Sequence, residues 1–234
     1  YIVGNNKIIY QYTLSTPWVV SSASYDSVSF SVGSQDTSAF SLAFKPDGTK
    51  FYLLGATNDS VFQYTLSTAW DMSTASYDSI SFSVASQETT PYGMTLKPDG
   101  TKLYIVGYVN DTVYQYTLST AWDLSTASYD SISFSVAVQD NSPRGLAFKT
   151  DGTKMYIVGT TNSTIFQYTL STPWVVSSAS YDSVSFSVGA QETYPYSISF
   201  KTGGTKFYII GNNNTVYQYT SSGVFAGTAR ISIG

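Results

Sequence analysis

Four acidic residues recur at a fixed spacing and are the most regular candidates for chemistry in this chain. Asp36, Glu88, Asp140 and Glu192 stand 52 residues apart, each directly after a glutamine. Two carboxylates can act as general acid and base. Here each repeat carries one carboxylate in an equivalent position, and such a ring of equivalent carboxylates is a weak candidate for an acid–base pair. The sequence has no His and no Cys, which removes the usual nucleophile pairs and transition-metal ligands. We therefore predict no catalytic residues, no metal site, no cofactor and no enzymatic activity.

A second set of positions differs between copies where the surrounding sequence barely changes. These positions are Phe40, Tyr92, Arg144 and Tyr196. Amides recur in a connection that we expect nearby, at Asn58, Asn110 and Asn162. Aromatic faces, one guanidinium and several amides converging on a concavity suit a small polar ligand. We predict a ligand-binding site formed by these residues; the alternative is a rim that drifted freely because nothing packs on it.

Four tryptophans offer a different surface for a sugar. They are Trp18, Trp70, Trp122 and Trp174, one in each long connection. An indole face can stack on a sugar, but a buried indole also contributes a large apolar area to packing. We favour the second interpretation, in which each Trp fills the wedge between neighbouring units.

The segments that carry these residues are themselves repeated. KPDGTKFYLLG begins at Lys45, and close variants begin at Lys97, Lys149 and Lys201, each 52 residues further on. A fixed period of this length indicates a repeat architecture, so we expect one domain over residues 1–234. The chain starts inside the motif at Tyr1, which predicts a processed or excised fragment.

Each copy reads as four strands and no helix. Leu42 and Phe44 alternate with small or polar residues, and Pro46-Asp47-Gly48 then predicts a tight turn. Residues 51–54 are apolar on both faces, and residues 28–32 alternate strictly. A four-stranded antiparallel meander with buried middle strands, repeated radially, is typical of a β-propeller blade.

The number of copies predicts the number of blades. The first copy supplies the last three strands of a blade, three complete copies follow, and the last copy supplies three strands and a tail from Ser221 to Gly234. We predict an all-β, five-bladed propeller of four-stranded antiparallel blades. We expect Arg230 to Ile233 to close the ring by pairing beside Tyr1 to Val3 of the N-terminal blade. The alternatives are a fragment of a larger ring and an oligomer that closes between chains.

Two segments of each copy resemble a known family. PDGTKLYIVG followed by NDTVYQYTL is similar to the YVTN and NHL type of β-propeller repeat of surface-layer and lactonase-like proteins. The resemblance implies a propeller, and in lactonase-like members it implies His and acidic residues around the central channel. This sequence has no His. It also adds STAWDLSTASYDS, a longer blade similar to repeats in uncharacterised environmental bacterial and phage proteins.

Charge and composition limit the partners. Eleven basic residues against fifteen acidic ones give a net charge of −4 and a pI of about 4.6, which disfavours nucleic acid. No apolar run approaches the ~20 residues that span a bilayer, so we expect no membrane insertion. We predict a non-enzymatic binding module, located extracellularly, on a cell surface or on a virion. Its expected ligand is a carbohydrate or cell-surface group, bound in a lectin-like manner by a monomer or a domain of a larger protein. The alternative is a structural or protein-interaction scaffold with no small-molecule ligand.

Overall fold

The computed structural model describes residues 1–221 and 232–233, which form five antiparallel blades arranged in a ring. Blade 1 contains β1 (Ile2–Val3), β2 (Ile8–Leu14) and β3 (Ala23–Ser31). Blade 2 contains β4 (Ala39–Phe44), β5 (Lys50–Gly55), β6 (Ser60–Leu66) and β7 (Ala75–Ser83). Blade 3 contains β8 (Pro91–Leu96), β9 (Lys102–Gly107), β10 (Thr112–Leu118) and β11 (Ala127–Ser135). Blade 4 contains β12 (Pro143–Phe148), β13 (Lys154–Gly159), β14 (Thr164–Leu170) and β15 (Ala179–Ser187). Blade 5 contains β16 (Pro195–Phe200), β17 (Lys206–Gly211), β18 (Val216–Thr220) and β19 (Ser232–Ile233).

The predicted five-bladed, all-β propeller is confirmed. Strands follow one another in sequence within each sheet, from the innermost strand outward. Short 3₁₀ turns precede the outermost strand at Val20–Ser22, Met72–Thr74, Leu124–Thr126 and Val176–Ser178. In the part of the chain that the structure describes, no helix is long and apolar enough to cross a membrane.

The hairpin between the first two strands of each blade is set by local chemistry. In blade 3 the Asp99 carboxylate accepts hydrogen bonds from the backbone N–H and the hydroxyl of Thr101, at 3.0 and 2.6 Å. Gly100 follows Asp99 with a φ of +75°, and a Cβ on it would lie 2.3 Å from the Trp122 indole. The turn therefore needs glycine for its left-handed backbone and for the close approach of the indole.

The apolar core lies between blades rather than within any single blade. Residues 51–54 of β5 are fully buried because neighbouring sheets cover both faces of this strand. The outermost strand of one blade also packs on the third strand of the next. The Phe30 ring meets the Tyr64 ring edge-on at 5.8 Å, and Phe82 meets Tyr116 in the same way at 5.5 Å.

Trp122 and Trp174 pack in the wedge between blades, as we predicted, whereas Trp18 and Trp70 lie at the same repeat position but are 40% and 41% exposed. The Trp122 carbonyl accepts a hydrogen bond of 2.7 Å from the Tyr52 hydroxyl of the preceding blade, and their ring centroids lie 6.4 Å apart. The Trp174 carbonyl accepts an equivalent bond of 2.8 Å from Tyr104. Trp122 adopts a φ of +65°, a left-handed conformation that costs about 1–2 kcal/mol for a residue with a Cβ. The inter-blade contacts offset that cost.

A recurring glutamine on the third strand forms a further bond between blades. Gln63 Oε1 accepts a hydrogen bond of 2.9 Å from the backbone N–H of Leu124 in the next blade. Gln115 Oε1 accepts one of 3.1 Å from Val176 in the same way. The junctions from blade 1 through blade 4 thus each join a backbone N–H to a glutamine oxygen, whereas Gln167 Oε1 of blade 4 has no hydrogen-bond partner among the described residues.

The same bonds join blade 5 to blade 1 and close the ring within one chain. Gln218 Oε1 accepts a hydrogen bond of 2.9 Å from the Val20 N–H. The Trp18 carbonyl accepts bonds from the Tyr208 hydroxyl at 2.9 Å and from Lys206 Nζ at 3.1 Å. Ring closure therefore uses the third strand and the Trp loop, as the junctions between blades 1 and 2, 2 and 3, and 3 and 4 do.

The C-terminal strand does not lie where the sequence predicted. Strand β19 pairs antiparallel with β18, with Ile233 opposite Tyr219, and so extends the outer edge of blade 5. The expected pairing of this segment with Tyr1 to Val3 is wrong for Ser232 and Ile233, while Arg230 and Ile231 lie outside the described residues. An Ile-Ser-Ile alternation fits any strand edge, because a period of two does not specify the partner strand.

A half-buried ion pair lies on the outer side of three blades. In blade 3, Lys102 Nζ lies 2.7 Å from Asp130 Oδ2. The hydroxyl of Thr117 and the amide of Gln115 also donate to the Asp130 carboxylate. Burial alone would raise the pKa of Asp130, but these donors outweigh it and hold the pKa below its ordinary value. Lys50 with Asp78 and Lys154 with Asp182 repeat the arrangement.

Candidate functional site

The four variable side chains meet at the mouth of the central channel. Phe40, Tyr92, Arg144 and Tyr196 are each the second residue of an innermost strand, and all four are half-buried. The Phe40 and Tyr92 rings meet edge-on with centroids 4.6 Å apart. The Tyr196 hydroxyl lies 3.3 Å from Asn212 Oδ1. The structure therefore brings this part of the predicted set together.

Arg144 is the centre of this cluster. Its Cζ lies 3.7 Å from the centroid of the Tyr92 ring, and 5.8 and 5.9 Å from those of Tyr196 and Tyr108. Such cation–π contacts fix the plane of a guanidinium. The Nε atom is buried and has no hydrogen-bond partner among the described residues. Because Arg carries five N–H donors and no acceptor, this arrangement is suited to an anionic or strongly polarised oxygen.

The channel below Arg144 is long enough to hold part of a ligand. A cavity of about 460 Å³ extends from Arg144 and Tyr196 along the innermost strands to Lys149 and Lys201 at the opposite face. Lys149 is paired with Asp151 at 2.6 Å. Cationic side chains therefore line both ends of this cavity.

The asparagines of the predicted set are engaged in the loops. Asn58 Nδ2 donates to the Gln35 carbonyl at 2.8 Å, and Asn110 and Asn162 donate to equivalent carbonyls at 2.7 and 2.9 Å. These bonds join two loops: the loop between the second and third strands of a blade, and the loop that leads from the previous blade into its innermost strand. The amide nitrogens thus hold together the loops at the mouth.

The recurrent carboxylates have a structural role. Glu88 has 0% exposure and accepts hydrogen bonds from the backbone N–H groups of Thr90, Val109 and Asn110 at 2.9, 3.2 and 3.2 Å. A Cβ on Gly107 would lie 2.3 Å from its side chain, so a glycine must end this strand. Asp36, Asp140 and Glu192 hold equivalent loops in the same way.

Two aspartates beside these loops were missed as candidates from the sequence. Asp59 and Asp111 each adopt a φ of +46°, and each has a buried Oδ1 without a hydrogen-bond partner among the described residues. Burial, together with the charges of nearby carboxylates, raises the pKa of both side chains. The sequence feature that could have pointed to both residues is the Asn-Asp dipeptide, which predicts a left-handed turn.

Two exposed tyrosines in the connections between strands were also missed. Tyr108 is half exposed and approaches Arg144, and Tyr194 is 55% exposed. Both lie in connections where the repeats vary. In residues 1–221 and 232–233 no group of three or more His, Cys, Asp or Glu is arranged to hold a metal ion.

Several solved structures resemble the chain in fold. A protein from Bacteroides uniformis, proposed to be a 6-phosphogluconolactonase, is 10% identical with a TM-score of 0.58, covering 98% of this chain and 68% of its own. The periplasmic gluconolactonase PpgL of Pseudomonas aeruginosa is 14% identical with a TM-score of 0.52, covering 83% and 53%. A protein of unknown function from Desulfotomaculum acetoxidans is 16% identical with a TM-score of 0.56, covering 100% and 73%. At these identities the likeness shows the fold alone.

No family model matches the chain, and no curated protein matches it. The solved structures nevertheless correct the functional prediction. A non-enzymatic binding module, with a scaffold as alternative, is contradicted because similar folds bear the names of enzymes, 6-phosphogluconolactonase and gluconolactonase. The exclusion of enzymatic activity was wrong because the lack of His and Cys removes particular nucleophile pairs and ligands, whereas catalysis by positioned charge needs neither. The comparison shows a five-bladed propeller, whereas membership of the YVTN and NHL family is not confirmed.

Proposed function

We propose that the chain hydrolyses lactones of sugar acids at the channel mouth, with Arg144 binding the reacting ester. The observation that carries this proposal is the guanidinium of Arg144, held over Tyr92 at 3.7 Å with a buried Nε that lacks a partner among the described residues. Two of the similar folds are named as lactonases, which indicates the substrate class.

The proposed reaction adds water to the ring ester. Water attacks the carbonyl carbon, the carbonyl oxygen gains negative charge, and the ring C–O bond then breaks as the leaving oxygen takes up a proton. The product is the open hydroxy acid. N–H donors of Arg144 stabilise the charge that develops on the carbonyl oxygen, and the faces of Tyr92 and Tyr196 provide apolar surfaces for the sugar ring.

Arg144→Ala tests this role in the full chain. Hydrolysis of gluconolactone and of 6-phosphogluconolactone is followed by acid release at constant pH and compared with the spontaneous rate. We expect a rate above the spontaneous one for at least one substrate, and a decrease in kcat of about 10²–10³-fold in the variant, as for loss of an oxyanion donor. Arg144→Lys keeps the charge without the planar fork and is expected to recover only part of the rate.

Lys97→Ala serves as the control, because Lys97 pairs with Asp99 in a hairpin on the opposite face. It should leave the rate unchanged. Hydrolysis at the spontaneous rate with both lactones, or full activity in Arg144→Ala, would contradict the proposal.

We further propose that the chain acts outside the cytoplasm and that its repeats belong to the YVTN and NHL type. The periplasmic location named for PpgL supports the first proposal. The segments PDGTKLYIVG and NDTVYQYTL support the second. Detection of the protein only in the cytoplasmic fraction of its source cells would contradict the proposed location.

A further inference from the structure

Blade 1 has an innermost position that no described strand occupies. In blades 2 to 5 this position is filled by β4, β8, β12 and β16, each paired with the second strand of its blade. In blade 1 the corresponding second strand is β1, and among the described residues it pairs only with β2. The inner edge of β1 therefore presents backbone groups that are paired in the other blades.

A groove lies along this edge. The groove has a volume of about 780 Å³. It is bounded by β1, by residues 39–42 of the innermost strand of blade 2, and by Ser197 and Ile209 of blade 5. Asn6 and Trp18 of blade 1 also line this cavity. The groove thus follows the path that an innermost strand takes in each of the other blades.

Tyr1, Ile2 and Val3, which line the groove, are more exposed than their equivalents in blades 2 and 3. Tyr1 is 38% exposed, whereas Tyr52 and Tyr104 at the same repeat position have 0% exposure. Ile2 and Val3 are half-buried, whereas residues 53 and 54 at the same positions are fully buried. Apolar surface that the innermost strand covers in blades 2 and 3 is therefore partly open to solvent in blade 1.

The innermost strands of blades 2 to 5 show which sequence would fit the open position in blade 1. In blade 2 the register places Ser41 opposite Leu54, Leu42 opposite Leu53 and Ala43 opposite Tyr52. Neighbouring innermost strands pass so closely that a Cβ on Gly93 would lie 2.6 Å from the Arg144 carbonyl. The third residue of an innermost strand must therefore be small, and the fourth and sixth are apolar.

We propose that the inner edge of β1 binds an extended peptide strand that completes blade 1. The partner has the chemistry of this chain's own innermost strands: a small third residue, apolar fourth and sixth residues, and no charge between them. Its third residue lies opposite Val3 and its fourth opposite Ile2. Backbone hydrogen bonds to the strand edge provide the affinity, and the groove selects the alternate apolar side chains.

A labelled peptide with the sequence of residues 39–45, AFSLAFK, tests the proposal on the full chain. Fluorescence anisotropy should show saturable binding of one peptide per chain. The same peptide carrying Leu42→Asp should bind about tenfold or more weakly, since it would bury a charge in the groove. In the protein, Ile2→Asp should weaken binding of the unmodified peptide similarly. Val138→Asp is the matched control, because Val138 is 90% exposed and far from β1 in sequence.

Hydrogen exchange on the unsubstituted protein locates the bound peptide, and it decides the question if Ile2→Asp fails to fold. Saturating peptide should slow exchange of backbone amides in residues 2–4. Absence of saturable binding, equal affinity of the Leu42→Asp peptide, or protection confined to other segments would overturn the proposal.

Discussion

At the residue scale, three of the hairpin glycines lie against a tryptophan and one at the same turn position does not, which allows a matched test. Gly100 and Gly204 occupy the same turn position with φ of +75° and +69°. A Cβ on Gly100 would collide with Trp122, whereas a Cβ on Gly204 would meet nothing within 4 Å. We expect Gly204→Ala to lower the free energy of unfolding by about 1–2 kcal/mol from backbone strain alone. Gly100→Ala should lower it by about 2–5 kcal/mol, because displacement of the indole adds to the strain.

Urea unfolding of both variants, followed by tryptophan fluorescence and circular dichroism, measures the difference. Equal destabilisation by the two substitutions would show that the indole contact contributes nothing to stability. Trp122→Ala in the Gly100→Ala background should remove the additional cost if the contact is its source.

The residues of the candidate site were only partly predictable from the sequence. Phe40, Tyr92 and Arg144 stood out because they vary where the rest of the repeat does not, and the radial arrangement of identical strands brings them together. Tyr108 did not stand out, because its approach to Arg144 depends on the path of a loop. The sequence predicts Asn110 as a ligand-binding residue, and only the structure shows that its amide nitrogen donates to the Gln87 carbonyl.

At the element scale, the ion pair on the outer side of blades 2, 3 and 4 predicts a response to acid. The folded-state pKa of Asp130 is held below its ordinary value of 3.8. The stability contributed by this carboxylate is therefore fully present above about pH 4 and is lost as the pH falls through the folded-state pKa. Asp130→Asn should lower the free energy of unfolding near neutral pH by about 1–3 kcal/mol, since it weakens hydrogen bonds to a charged group.

The same variant should differ less from the unsubstituted protein as the medium becomes more acidic. Urea unfolding near neutral pH, near pH 4 and near pH 2.5 measures this convergence. Lys97→Ala is a useful comparison, because it removes only an ion pair in an exposed hairpin, where ion pairs contribute little. A constant difference between Asp130→Asn and the unsubstituted protein over this range would contradict the assignment.

The strands themselves were well predicted, because alternation and turn residues are local signals. The hairpin at Pro46-Asp47-Gly48 and the buried strand at residues 51–54 follow directly from residue type. The irregular register between Gln63 and Tyr64, where β6 pairs with β7, left no clear trace in the alternation. The position of β19 could not be read either, since a short alternating segment fits several edges.

At the scale of the whole molecule, closure of the ring can be tested with two equivalent double substitutions. Tyr208→Phe with Gln218→Ala removes the bonds to Trp18 and Val20 that join blade 5 to blade 1. Tyr52→Phe with Gln63→Ala removes the same pair of bonds between blades 2 and 3, and also the bond that Gln63 donates to Asp78. We expect both double variants to lower the free energy of unfolding by about 2–5 kcal/mol, with the larger effect between blades 2 and 3.

Thermal unfolding followed by calorimetry, together with light scattering to confirm the monomer, provides the measurement. A neutral effect of the Tyr208 and Gln218 pair, with a clear effect of the Tyr52 and Gln63 pair, would show that the ring is open in solution. The double substitution between blades 2 and 3 is therefore the internal reference.

The closing junction also sets an order of events during folding. Bonds between consecutive blades join residues 61 or 70 positions apart, whereas the bonds to Val20 and Trp18 span 198 and 190 positions. The added entropy of the longer loop is only about 1 kcal/mol, because it grows with the logarithm of length. Blades can therefore assemble in sequence from local contacts, and the long-range junction forms last. Until it forms, the two end blades of a nascent chain expose matching surfaces, which makes this step the one at which two concentrated chains can join each other instead.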